Sequence, residues 1–164
     1  MLIDTDVLIW YLRGSRKACK VIESEKSFCL SVVTYIELVQ GMRNKKELNY
    51  FRKSLRDWNA QVLYVSEEIS SKAMFYVEQH FLSHSLQLSD ALIGATAVAY
   101  GLPILTGNDK HYKIIKDIRI KKYRPWQLAK KTSTNLSIII AGSILQIEPK
   151  LLGPIPKLPL NLLT

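Results

Sequence analysis

MLIDTDVLIWYL, running from Met1 to Leu12, is the stretch whose reading decides the fold of this 164-residue chain. An apolar start, Leu2-Ile3, meets Asp4-Thr5-Asp6, and the chain turns apolar again at Val7-Leu8-Ile9. A short buried strand that ends in a carboxylate and passes at once into a helix is how open α/β sheets build sites. Ligands collect in the crevice outside the carboxyl ends of parallel strands. Asp4 would stand at that edge. The same residues also read as ordinary turn chemistry, with Thr5 or Asp6 capping the next helix. The stretch alone does not choose between the two.

Later segments repeat the pattern. Phe28-Cys29-Leu30 suits a second buried strand, Gln61–Val65 a third and Pro103–Thr106 a fourth, while Ile118–Tyr123 alternates like a half-buried last strand. Helices are expected at Val7–Arg13, closed by Gly14, then from Ser15 to Ser24 and from Lys45 to Trp58. Ser66 with Glu67 and Glu68 opens a long helix, stepped by Ile69, Ala73, Val77 and Phe81. Ser89-Asp90 opens an alanine-rich helix, Ala91–Tyr100, and Gly107-Asn108-Asp109 turns into a short basic helix at Lys110–Lys116. Thr34 and Glu37 have capping-box spacing, which would put Glu37 at the third helical position. Strands alternating with helices predict an α/β domain with a parallel sheet and helices on both faces.

Composition sets the bounds. The apolar fraction of 48% and charged fraction of 23% are those of a folded protein with a real core. No apolar run reaches membrane-helix length, and Met1 leads into the first strand without a signal-peptide pattern. Cys19 and Cys29 make neither a metal spacing nor a disulfide framework, which fits a reducing cytoplasm. The net charge of +9 is concentrated at Arg43–Lys46, at Arg52, Lys53 and Arg56, and from Lys110 to Lys131. Such blocks favour capture of polyanions, nucleic acid among them. From Ala129 the chain changes character, with four of the six prolines, many leucines and isoleucines, and little that suggests a regular element.

Asp4, Glu37 and Asp109 follow strands whose exits share one edge of a parallel sheet, and Asp90 joins them if its helix starts at the same rim. Two bare carboxylates about 4 Å apart repel by about 4 kcal/mol at an effective dielectric near 20. A divalent cation removes that objection. Magnesium takes hard oxygen donors, one or two carboxylates with waters and substrate phosphate, and manganese accepts the same set. The chemistry that follows is metal-assisted attack of water on a phosphodiester, with the surrounding lysines and arginines holding the flanking phosphates. Each acid has a plainer reading: Glu37 as a capping acid, Asp90 and Asp109 as acids near helix N-termini. His80 and His84 lie four apart without a third ligand, and His111 reads as positional or phosphate-contacting. Trp10, Trp58 and Trp126 read as core or interface residues.

Taken together, these segments resemble the PIN-domain ribonucleases, especially the VapC-type toxins of toxin–antitoxin pairs. LIDTDVLI looks like the first motif with Asp4, SVVTYIELVQG like the second with Glu37 and Gly41, and LSDALIGATAVAYGLPILTGNDKHY like the third and fourth with Asp90 and Thr106. The resemblance covers about residues 1–126, read as a PIN-like nuclease domain, and leaves 127–164 as an apolar, proline-containing tail of unknown role. It implies a three-layer fold with a mostly parallel sheet of about five strands, a Mg²⁺- or Mn²⁺-dependent endoribonuclease, an RNA substrate, a cognate antitoxin and a homodimer. Asp4, Glu37, Asp90 and Asp109 are then the catalytic and metal-binding acids, with Thr5, Asp6 and Asn108 orienting them or their waters. One departure stands out. The family often has an acid two or five residues after the threonine, where this chain has Asn108 and His111; Asp109, or Asn108 through water, would substitute. Two alternatives remain: a non-catalytic module that only binds RNA or protein, and an aspartyl-nucleophile phosphohydrolase suggested by the D-x-D spacing of Asp4 and Asp6.

Overall fold

The computed structural model describes residues 1–124 and the backbone of residues 137–140 and 143–146. The order of elements is β1 (Leu2–Ile3), α1 (Thr5–Leu12), α2 (Arg16–Glu23), β2 (Phe28–Ser31), α3 (Val32–Gln40) and α4 (Lys45–Asp57). It continues with β3 (Ala60–Leu63), α5 (Glu67–His84), α6 (Leu88–Ala99), β4 (Ile104–Thr106), α7 (Asp109–Tyr112) and β5 (Ile120–Lys122). These five strands form one all-parallel sheet in the order β3-β2-β1-β4-β5, as the alternation of strands and helices predicts.

Two cores flank the sheet, and the pleat divides residues between them. Leu2 and Ile104 belong to the core under α5, α6 and α7, with Ile69, Tyr76, Ile93 and Tyr112. Their chain neighbours Ile3 and Leu105 belong to the other core, with Leu8, Ile22 and Phe51 of α1, α2 and α4. Successive strand residues point to opposite faces, so a strand covered on both sides must be apolar throughout. That explains the unbroken Leu2-Ile3 and Ile104-Leu105 pairs. The three-layer arrangement follows from it.

Helix starts are marked by side-chain caps: Ser15 accepts from Ala18 N–H, Asn44 from Glu47 N–H and Ser66 from Ile69 N–H. Each such cap contributes about 1 kcal/mol. Gly14 closes α1 at φ +77°, a backbone conformation that disfavours residues with a Cβ. The capping box expected of Thr34 and Glu37 does not form. Ser31 caps α3 instead, accepting from Val33 N–H, so the helix begins earlier, Thr34 is buried and Glu37 sits a turn deeper. The stripe expected along α5 also shifts. Ile69, Ala73 and Tyr76 are buried, but Phe81, in the last turn of α5 before the connection to α6, is half exposed.

In the tail, the expectation of little regular structure is corrected by an antiparallel pair, β6 (Ser137–Ile140) with β7 (Ser143–Gln146). Trp126 and the tail prolines lie outside the described residues. Among the described residues no helix is long and apolar enough to cross a membrane.

Phe51 is fully buried on α4, against the tilted ring of Tyr35 5.5 Å away. Phe51→Ala is expected to destabilise the domain by about 3–5 kcal/mol, measured by urea unfolding. A loss below about 1 kcal/mol would mean that α4 is not part of the core.

Candidate active site

Strand order 3-2-1-4-5 creates a switch point between β1 and β4, since the chain winds first to one edge and later to the other. The crevice outside their carboxyl ends is where such sheets bind ligands. Asp4 leaves β1 as Thr106 and Gly107 leave β4, and Asp4 N–H donates to the Leu105 carbonyl at 3.0 Å. The two exits are thereby fixed side by side.

Asp4 is buried, and its Oδ1 accepts from Thr5 N–H at 2.8 Å and from the Tyr112 hydroxyl at 3.1 Å. Burial lifts its pKa well above the carboxylate range. The neighbouring charges of Asp6 and Asp90 add to the rise, while hydrogen bonds from Thr106 and Thr5 oppose it. Asp6 reaches across the switch point: its Oδ2 accepts from Gly107 N–H at 2.8 Å. A Cβ on residue 107 would come within 2.7 Å of that oxygen, so the approach needs glycine. Asp6 Oδ1 is buried and has no partner. Its pKa is raised to about 6, chiefly by burial, with backbone N–H groups of Gly107, Val7 and Asn108 opposing and Asp90 adding.

Glu37 arrives from α3 and is tied in through Thr5. The Thr5 hydroxyl donates to Glu37 Oε2 at 2.5 Å and stands 3.2 Å from the Thr34 hydroxyl. Thr5 therefore links Asp4, through its N–H, to Glu37, through its side chain. Asp90 lies in the first turn of α6, its Oδ2 2.6 Å from His111 Nδ1. That bond raises the His111 pKa, with the charges of Asp90 and Asp4 adding to it and burial opposing. Asp4 is thus linked to Glu37 through Thr5 and stands near enough to Asp90 for their charges to repel.

Asp109 does not join them. Its Oδ2 lies 2.7 Å from Lys122 Nζ and 3.0 Å from Lys113 Nζ, and its Oδ1 lies 3.8 Å from Arg124 Nη1. Hydrogen bonds from Lys122 and Lys113 lower its pKa to about 2. The expected fourth acid is the anchor of a cationic group instead. Asn108, the other candidate, donates its N–H to Thr106 Oγ1 at 3.0 Å. His80 and His84 stack edge to face with centroids 5.8 Å apart, with no third ligand beside them among the described residues.

The cleft's donors are carboxylates and hydroxyls, the chemistry of a hard divalent cation. An orphaned buried oxygen on Asp6 and like charges crowded around Asp4 are what such a cation would relieve. Among the described residues no three His, Cys, Asp or Glu groups stand close enough to hold an ion together. The arrangement therefore fits an ion held by one or two carboxylates with water completing its shell, as magnesium prefers. Tyr112 and Thr34 were not legible as site residues. Tyr112 sits on a four-residue helix too short to show a period, and Thr34 looked like a cap.

Fold and site together define an α/β protein with an acidic cleft at the switch point of a parallel sheet. Residues 1–117 match the PIN domain family model. Ribonuclease VapC10 of Mycobacterium tuberculosis is 31% identical over 123 residues, 73% of this chain and 90% of that protein. Ribonuclease VapC1 of Methanocaldococcus jannaschii is 27% identical over 127 residues, covering 75% and 86%. Among solved structures, a toxin–antitoxin complex from Klebsiella pneumoniae has a chain with TM-score 0.61 at 24% identity, over 77% of this chain and 98% of that one. VapBC2 from Rickettsia felis, bound to a promoter DNA fragment, has TM-score 0.64 at 14% identity, over 75% and 98%. The chain belongs to the PIN-domain family. The aspartyl-nucleophile reading falls with that assignment.

The ion cluster at Asp109 makes a stability prediction. Its pKa is about 2 in the fold against an ordinary 3.8. Its contribution is therefore present above the ordinary value and is lost as pH falls towards 2. Asp109→Asn should lose on the order of 1 kcal/mol at pH 7, discounted because the cations reach into solvent. In denaturant titrations the gap between variant and parent should close as pH falls from 6 towards 2. A gap that stays constant would refute the ion-pair account.

Proposed function

We propose that this PIN-domain chain is a metal-dependent endoribonuclease and the toxin of a toxin–antitoxin pair. The observation that carries the reading is the crowding of Asp4, Asp6 and Asp90 at the switch point, where burial and mutual repulsion drive Asp4 towards its protonated form. A fold that spends stability on such a cluster has a use for a cation there. Support for the substrate comes from relatives named ribonucleases and from structural neighbours that are toxin–antitoxin complexes. The net charge of +9 suits a polyanionic substrate.

Asp4, Glu37 and Asp90 would hold Mg²⁺ or Mn²⁺, directly or through water. When bound, such an ion lowers the pKa of a water and stabilises charge on the phosphodiester oxygens. The chain's own residues prepare the site. Tyr112 and Thr5 N–H fix the Asp4 carboxylate, the Thr5 hydroxyl holds Glu37, and His111 holds Asp90 by one oxygen. A homodimer, a cognate antitoxin and action in the cytoplasm complete the proposal, the last in keeping with the free cysteines Cys19 and Cys29. One observation favours a second reading, a PIN module that binds RNA or protein without cutting: three ligands do not meet on one ion among the described residues.

Asp4→Asn and Asp90→Asn should each reduce RNA cleavage by more than the roughly 10- to 100-fold typical of a residue that only orients a ligand. Both should keep the parent's circular dichroism, and excess chelator should silence the parent. Cleavage that survives chelation, or that either variant retains in full, would sink the metal mechanism. Binding retained without cleavage under any divalent ion would favour the module.

A further inference from the structure

Asp109 gathers more positive charge than one carboxylate can neutralise. Lys113, Lys122 and Arg124 all lie within ion-pair distance of it, which leaves a surplus of two charges. The carboxylate is 9% exposed, whereas the three cationic side chains are 44–56% exposed, so the acid is sealed beneath heads that reach water. With its carboxylate held near pKa 2, the anchor stays charged at every physiological pH. Around it, from Lys110 to Arg124, the chain carries seven lysines and arginines against a single acid, Asp117.

The position of this group matters as much as its charge. Lys122 ends β5 in register with Thr106 of β4, and Thr106 hydrogen-bonds Asp4. Asp109 opens α7, the same short helix that carries His111 to Asp90. The cations therefore sit one strand over from the acid cleft, at the same edge of the sheet. A cluster whose only task was to hold β5 against α7 would need one cation for one acid. Three cations with a net surplus, pre-assembled and facing solvent beside a site for phosphodiester chemistry, make a receptor for a phosphate chain.

We propose that Lys113, Lys122 and Arg124, held by Asp109, form a phosphate-binding ledge that grips the RNA strand beside the acid cleft. The identity of the polyanion rests on the ribonuclease reading; the ledge itself rests on the geometry of the four side chains. Asp109 is then a positioning residue for substrate contacts rather than a metal ligand.

The test is binding, measured apart from cleavage. A 5′-fluorescein-labelled single-stranded RNA is titrated with the full chain carrying Asp4→Asn, in EDTA, and followed by anisotropy from 50 to 300 mM salt. Lys113→Gln, Lys122→Gln and Arg124→Gln should each weaken binding about 3- to 10-fold at 100 mM salt. Removing all three would leave Asp109 buried without a partner, so the combined variant also carries Asp109→Asn. It should fold, by circular dichroism, and lower the slope of log affinity against log salt by about two, at roughly 0.7 per lost phosphate contact. A slope unchanged from the parent would overturn the proposal. So would an equal loss from Lys45→Gln with Lys46→Gln on α4, or tighter ledge-dependent binding of a single-stranded DNA of the same sequence. A chain that binds through the ledge yet cuts no RNA in Mg²⁺ would keep the ledge and remove the nuclease.

Discussion

Leu2 and Ile3 make a strand of two residues, and its pairing with β4 is the constraint on which the rest depends. In register, Leu2 faces Ile104 and Ile3 faces Leu105. A slip of one residue would send Leu2 and Ile3 to the wrong cores, because strand side chains alternate faces. Both cores seal completely around these residues, so the register is strongly specified. It delivers Asp4 to the mouth of β1 at the point where Thr106 and Gly107 emerge from β4. Hydrophobic packing on two faces thereby sets the position of a carboxylate that hydrophobic packing alone would exclude.

Once that mouth is fixed, the polar residues around it have little freedom. Asp4 is held by Thr5 N–H and the Tyr112 hydroxyl, and Asp6 bridges to Gly107 N–H. Each bond partly compensates the burial of a charge, and none removes the repulsion between neighbouring acids. Gly94 adds a further condition: a Cβ there would come within 2.5 Å of Ile115 Cδ1, beside Tyr112, the residue that reaches Asp4. The close approach of α7 to α6 thus belongs to the site as well as to the core.

Much of this was legible in the chain itself. The apolar runs at Leu2-Ile3, Phe28–Leu30 and Ile104–Leu105 give the strands, and acids that follow strands in a parallel sheet must share an edge. That argument points to Asp4, Glu37 and Asp109 at one rim, with Asp90 joining if its helix starts there, whereas the structure ties Asp109 to Lys113 and Lys122. What the sequence hid was the second partner of each group. Glu37 has capping-box spacing from Thr34, yet its hydrogen bond comes from Thr5, and only the packing of α1 on α3 brings the two together. Tyr112 is far from Asp4 along the chain and carries no pattern that points to it. Lys113 is four residues from Asp109 and visible as a helical neighbour, whereas Lys122 arrives through the β4–β5 pairing, which no local signal encodes.

The same rim holds carboxylates in two opposite states, and the contrast explains their division of labour. Asp6 is raised to about 6 by burial with one oxygen left unpartnered, while Asp109 is lowered to about 2 by two ammonium groups. A cation placed beside Asp4 and Asp6 would relieve desolvation and repulsion together. A cation approaching Asp109 would first have to displace lysines already in contact, and would be repelled by the third positive group. Asp6 and Asp109 come from opposite ends of the domain's sequence to neighbouring strand ends, and the sign of the field they stand in differs. That sign, set by which strand end each acid shares with which lysine, separates the proposed place for metal from the proposed ledge for phosphate.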